Sequence, residues 1–168
     1  MLTKLFDHRL YISLILLCFI STTLHANQIT ESEVLKAQKA WAEGMQSISK
    51  MKAKKQASAA KKWVLSLYAF PKHPVLFKPT TQNKIILTQK DTIDYFTPKN
   101  KLKINRITFK NADIIYLQDS AIAMGQYRFE IEGIKDPYLF DYTFVYIKDN
   151  KGALKIIAHH SSTLFKGL

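Results

Sequence analysis

Beyond Leu102 the apolar residues of this chain stop recurring every three or four positions and begin to alternate. Helical periodicity gives way to the two-residue period of strands, which commits the C-terminal part of the chain to a sheet. Ile104, Arg106, Thr108 and Lys110 alternate with Asn105, Ile107 and Phe109, and Asn111-Ala112-Asp113 interrupts the pattern. Ile114–Leu117 reads as a short apolar strand, closed by a turn at Gln118-Asp119-Ser120. Ala121–Glu132 and Tyr138–Lys148 read as long strands joined by a turn at Gly133–Pro137. Asp149-Asn150-Lys151-Gly152 is a strong hairpin signal before the last strand, Ala153–Phe165. Connections this short join antiparallel neighbours, because parallel ones need a long crossover.

The chain ahead of this meander is helical. Thr30-Glu31-Ser32-Glu33 has the spacing of a capping box, and Val34, Ala37, Trp41, Met45 and Ile48 follow as one apolar stripe. The helix is expected to stop near the basic stretch Lys50–Lys55. A second helix fits Gln56–Ala69, with Ala60, Trp63, Val64, Leu67 and Tyr68 on its stripe and Pro71 and Pro74 after it. Val75–Pro79 reads as a short strand, with Pro79 closing it or marking an edge, Thr80–Lys84 as a polar loop and Ile85–Leu87 as a candidate further short strand. A short helix over Gln89–Phe96 begins at the cap Thr88 and ends before Pro98. Helices early and a meander late give an α+β domain, with the helices on one face of a curved sheet.

Met1–Arg9 carries Lys4 and Arg9, Leu10–Ile20 is almost wholly apolar, and Ser21–Ala26 is small and polar. These are the three parts of a secretory signal peptide. The apolar run is well short of the ~20 residues that span a bilayer as a helix. The expected organisation is a signal peptide over 1–26, cleaved after Ala26, and one domain over 27–168. The mature protein is then periplasmic or secreted. The only cysteine, Cys18, lies in the removed segment, so thiol catalysis and cysteine metal sites are excluded from the mature chain.

The formal charge is +12, which favours anionic partners. Lys50, Lys52, Lys54, Lys55, Lys61 and Lys62 form a run without an acid. It reads as a solvated face or as a patch for an anionic envelope surface. It lacks the interleaved aromatics of a single-strand nucleic-acid surface, and no specific nucleic-acid partner is expected.

In the last strand, Leu154, Ile156, Ala158, His160 and Ser162 share one face, and Lys155, Ile157, His159, Ser161 and Thr163 the other. The first set is the more apolar and is expected to face the interior, taking His160 and Ser162 with it. His159 and His160 diverge, so they do not bind one ion together, and no His-x-His or His-Glu-x-x-His spacing occurs. No metal site and no cofactor are expected. A neutral histidine can move a proton near pH 7. His160 or His159 is therefore a candidate base, with Asp141 on the neighbouring strand as its orienter. The alternative is a hydrogen-bonded histidine of the packed interior. Ser161 and Ser162 lie on a regular strand without a Gly-x-Ser-x-Gly elbow, which argues against a serine nucleophile. Tyr138, Phe140, Tyr142, Phe144 and Tyr146 fall on one strand face, and Tyr127 and Phe129 share a face of the strand before it. That surface suits an apolar cavity with a few hydroxyls, core packing or a dimer interface. Arg128 points away from Tyr127.

Ala40–Gly44, Val75–Thr80, Ala121–Tyr127, Asp141–Tyr146 and above all Ile157–Ser162, with its His-His-Ser-Ser, resemble the NTF2-like superfamily. Within it they resemble the SnoaL-like and calmodulin-kinase-association-domain-like branch. The resemblance covers about Ile29 to Phe165. It implies a strongly curved antiparallel sheet forming a conical pocket with the N-terminal helices, and a homo-dimer or larger homo-oligomer formed through the sheet. Members include isomerases, cyclases, dehydratases and plain binding modules, so the fold does not choose the function. The expected role is non-catalytic: an unknown small, partly apolar molecule held by Phe77, Tyr95, Tyr127, Tyr142, Phe144, His160 and Ser162. The rival readings are an isomerase, dehydratase or hydrolase with a histidine base, and a basic envelope-surface binder.

Overall fold

The computed structural model describes residues 28–97 and 102–163. The segment read as a signal peptide, Pro98 and the end of the last strand at Leu164–Phe165 lie outside the described residues. The elements are α1 (Glu31–Lys50), α2 (Ala53–Leu67), β1 (Leu76–Lys78), α3 (Gln89–Phe96), β2 (Ile104–Tyr116), β3 (Ser120–Ile131), β4 (Tyr138–Lys148) and β5 (Leu154–Thr163). They form an α+β fold whose five-stranded sheet has the order β1-β5-β4-β3-β2. Neighbours from β2 to β5 are antiparallel. β1 departs from that pattern and pairs parallel to β5, Phe77 opposite His159. The long chain between these two strands supplies the crossover that parallel pairing requires.

α1 starts at the capping box read from the sequence: Thr30 Oγ1 accepts from the Glu33 N–H at 3.3 Å, and the Thr30 N–H donates to Glu33 Oε2 at 2.8 Å. Trp41 stands at the centre of the inner sheet face. It stacks on Tyr127 of β3 at 5.7 Å and meets Phe144 of β4 and His159 of β5 at 5.6 Å each. Gly44, one turn on, is where α2 comes close: a Cβ there would lie 2.0 Å from Trp63 Nε1. Glycine costs a helix about 1 kcal/mol against alanine, and here it makes room for an indole. The lysines of the 50–62 run are all exposed.

Two local irregularities differ from the simple alternation. The break expected at Asn111–Asp113 is a bulge inside one continuous strand, with Asn111 opposite Gly125 and Asp113 opposite Met124. A Cβ on Gly125 would lie 2.2 Å from the Lys110 carbonyl oxygen, so glycine lets the strands close over the extra residue. The short strand expected at Ile85–Leu87 is reduced to a single bridge, Ile86 to Phe77.

A further bulge lies in β5. Tyr146 pairs with Ile156 and Val145 with Ala158, which leaves Ile157 without an opposite. One extra residue shifts every later side chain to the other face. Ile156 is buried, and beyond it His159 and Ser161 are buried while His160 is exposed. The expectation that His160 and Ser162 point inward is therefore corrected: strict alternation does not survive Ile157.

Candidate functional site

The inward residues of β5 meet the chain leaving β1. Parallel pairing of Phe77 with His159 and Lys78 with His160 brings Pro79, Thr80 and Thr81 alongside the end of β5. The Thr80 N–H donates to Ser161 Oγ at 3.1 Å, and the Thr80 hydroxyl donates to the same oxygen at 3.0 Å. Ser161 Oγ thus has both acceptor positions filled, and its own proton is left to give. Tyr127, on β3, is 4% exposed and presents its phenol beside Ser161. Burial keeps that phenol protonated by raising its pKa well above the ordinary value, against a smaller opposing effect of the Ser161 hydroxyl.

These groups line an inner cavity of about 160 Å³. Its walls are aromatic, with Trp41, Phe77, Phe96, Phe129 and Phe140 among them, and its polar points are Thr80, Thr81, Tyr95, Tyr127, His159 and Ser161. Pockets for drug-sized ligands run roughly 300–1,000 Å³, so this one suits a molecule of only a few heavy atoms. A second cavity of about 860 Å³ adjoins it and shares Met45, Thr81, Tyr95, Phe96 and Ile131. The hydroxyls of Thr81 and Tyr95 lie 3.1 Å apart in the shared wall. Burial raises the Tyr95 pKa, opposed in part by Thr81.

His159 is 2% exposed and enclosed by rings: Phe77 stacks on it at 4.7 Å and Phe144 meets it edge-on at 4.3 Å. Burial holds its imidazole well below the ordinary histidine pKa, with the neighbouring His160 adding in the same direction. It is therefore neutral near pH 7. Its Nδ1 lies 2.9 Å from the Tyr68 hydroxyl.

Of the residues singled out in the sequence, Phe77, Tyr95 and Tyr127 line the inner cavity, as does His159. Phe144 is fully buried beneath it, against Trp41 and His159. Tyr142 does not line the cavity and lies in a polar cluster: Gln38 Nε2 donates to Asn111 Oδ1 at 2.9 Å and to Tyr142 Oη at 3.2 Å, and the Tyr142 hydroxyl donates to Asn111 Oδ1. Burial pushes the Tyr142 pKa up to about 12. His160, Ser162 and Asp141 share the outer face, where Asp141 pairs with Ser162 and accepts from Gln126 Nε2 at 3.1 Å. Asp141 therefore does not orient His159, which lies on the other side of the sheet. Arg128 is also on the outer face, paired with Glu130 at 3.3 Å. Sequence reasoning passed over Thr80, Thr81 and Gln38. The first two were legible only as a polar loop after a strand, and Gln38 has the spacing of the apolar stripe, four residues after Val34 and three before Trp41, but not its residue type.

Among the described residues no group of three or more His, Cys, Asp or Glu side chains is placed to hold a metal ion.

Solved structures with the same fold include an NTF2-like protein from Cytophaga hutchinsonii. It is 15% identical, with a TM-score of 0.57 over 81% of this chain and all of that one. The fold is thus NTF2-like. A more specific likeness is to the iota-carbonic anhydrase from a cyanobacterium solved with bicarbonate. It is 31% identical, with a TM-score of 0.78 over 84% of this chain and 96% of that one. The metal-independent carbonic anhydrase of Nostoc sp. (strain PCC 7120 / SAG 25.82 / UTEX 2576) is 34% identical over 160 residues, 85% of this chain and 78% of the relative. The model of the metal-independent carbonic anhydrase family matches residues 32–163. These findings overturn the expectation of a non-catalytic binding module of unassigned function, since the relatives are enzymes with a defined reaction. By the extent of these matches, the chain belongs to the metal-independent carbonic anhydrase family.

Proposed function

We propose that this protein is a carbonic anhydrase that interconverts carbon dioxide and bicarbonate in the inner cavity, without a metal ion of its own. The observation that carries the reading is the cavity itself: about 160 Å³, aromatic on its walls, with the Ser161–Thr80 hydroxyl pair, Tyr127 and a neutral His159 at its polar end. Carbon dioxide is small and has no net dipole, so aromatic walls admit it without desolvation cost. In hydration a water oxygen bonds to the carbon, one C=O pair moves onto oxygen and a proton leaves. The negative charge grows on the carbonate oxygens, where buried O–H donors are worth most. Ser161 is held by two bonds from Thr80 with its own proton free to give, and Tyr127 is held protonated beside it. Thr81 and Tyr95 border both cavities and give the departing proton a hydroxyl route into the larger cavity and on to buffer.

The test is stopped-flow CO2 hydration, read with a pH indicator, on chain beginning at Asn27 and treated with a chelator. Activity above the buffer rate that survives chelation supports the reading. A rate equal to buffer alone refutes it.

The N-terminal pattern supports export, and an intact mass beginning at Asn27 in protein from a secreting host would bear this out. The outer sheet face exposes Leu76, Ile115, Met124 and Leu139. It supports self-association, which native mass spectrometry reads directly.

A further inference from the structure

His159 is linked to a buried donor chain that fixes where its proton sits. The Trp41 indole nitrogen can only donate, and its N–H is given to the Tyr68 hydroxyl at 3.1 Å. Tyr68 is fully buried at the end of α2, and its remaining neighbour of this kind is His159 Nδ1 at 2.9 Å. With Trp41 donating to it, Tyr68 satisfies its own hydrogen by giving it to Nδ1. Nδ1 is then an acceptor, and in a neutral imidazole the hydrogen must be on Nε2. The opposite tautomer would point two buried hydrogens at one oxygen and leave the Tyr68 hydrogen without an acceptor, at a cost of about 1–3 kcal/mol. Among the described residues the buried Nε2 has no hydrogen-bond partner, and the ring lines the inner cavity.

We propose that Tyr68 is a positioning residue: backed by Trp41, it holds His159 as the Nε2–H tautomer, so that His159 presents a hydrogen-bond donor to an oxygen of bound bicarbonate. This rests on the reading of the inner cavity as the bicarbonate site. In this role His159 binds through its hydrogen and does not take the proton of the attacking water. The role of the orphaned nitrogen follows, because a buried unpaired donor on a ring that lines a cavity is costly until an acceptor arrives.

The experiment is nitrogen-15 NMR on histidine-labelled protein, with sodium bicarbonate as probe, alongside CO2-hydration kinetics. Wild type is expected to show His159 protonated at Nε2, with that resonance moving as bicarbonate is added. Tyr68→Phe is expected to lose the fixed tautomer and to lower kcat about 10- to 100-fold, by analogy with the loss on removing the outer partner of a metal-bound imidazole. His159→Gln keeps a donor and is expected to retain more activity than His159→Leu. Protonation at Nδ1 in wild type overturns the proposal. So does an Nε2 resonance unmoved by bicarbonate in active protein, or a Tyr68→Phe protein with unchanged tautomer and kcat. A protein with the expected tautomer but no CO2 hydration sinks the carbonic anhydrase reading instead, so the two failures are distinguishable.

Discussion

Replacing Ser161 by alanine probes both the hydroxyl site and the bulge that creates it. Ser161 Oγ accepts the Thr80 N–H at 3.1 Å and the Thr80 hydroxyl at 3.0 Å. Ser161→Ala leaves that amide unpaired in a partly buried turn, a loss of about 1–3 kcal/mol in stability. A domain with roughly 5–15 kcal/mol in hand remains folded, with a Tm lower by a few degrees per kcal/mol. The effect on catalysis is larger, because the variant removes the donor itself and releases Thr80. Loss of one such preorganised donor lowers kcat by about 10²–10³-fold. The assay is stopped-flow CO2 hydration at a temperature well below the variant's Tm, with Ser162→Ala beside it. Ser162 is on the outer face, opposite Asp141, and its replacement is expected to leave kcat/KM within about twofold, the scale of surface substitutions. A Ser161→Ala protein as active as the parent, or a Ser162→Ala protein that loses as much, would refute both the site and the inversion of β5.

His159 is buried neutral with its pKa well below the unfolded value near 6.5. The unfolded chain therefore takes up a proton first, and stability falls as pH drops below about 6.5, by at most about 1.4 kcal/mol per pH unit. Urea unfolding at pH 7.5 and 5.0 measures this, and His159→Gln is expected to flatten the slope; an unchanged slope counts against a buried neutral imidazole. Asp141→Asn and His160→Gln are expected to leave kcat/KM within about twofold, since both residues are on the face away from the cavity; a tenfold loss in either would contradict the register. Gly44→Ala places a methyl 2.0 Å from Trp63 Nε1 and is expected to destabilise by about 1–3 kcal/mol through overpacking, opposite in sign to helix propensity. A calorimetric Tm at or above the parent's would show that α2 can yield.

Elements with local causes were legible in the chain. The box at Thr30 and Glu33 sets the start of α1, and Thr88 caps α3 by accepting from the Asp91 N–H. The turn at Asp149–Gly152 forms because Asp149 Oδ1 accepts the Lys151 and Ala153 N–H groups while Gly152 takes a φ of +76°. The α+β class and the antiparallel meander followed from periodicity and connection length. The aromatic face of β3 and β4 was equally visible, because alternation holds along both strands.

The site was not legible in the same way. Which histidine faces inward depends on Ile157, and no residue type at that position announces a bulge. The extra residue exists only in relation to Tyr146 and Val145 on the neighbouring strand. Thr80 meets Ser161 only because β1 pairs in parallel with a strand about eighty residues further along. Sequence by itself determined the helices, the turns and the meander, since capping, turn chemistry and periodicity act within a few residues. The tertiary structure alone decided the faces and the partners at the site, because strand register is set by two strands packing together and a single unpaired residue inverts everything after it.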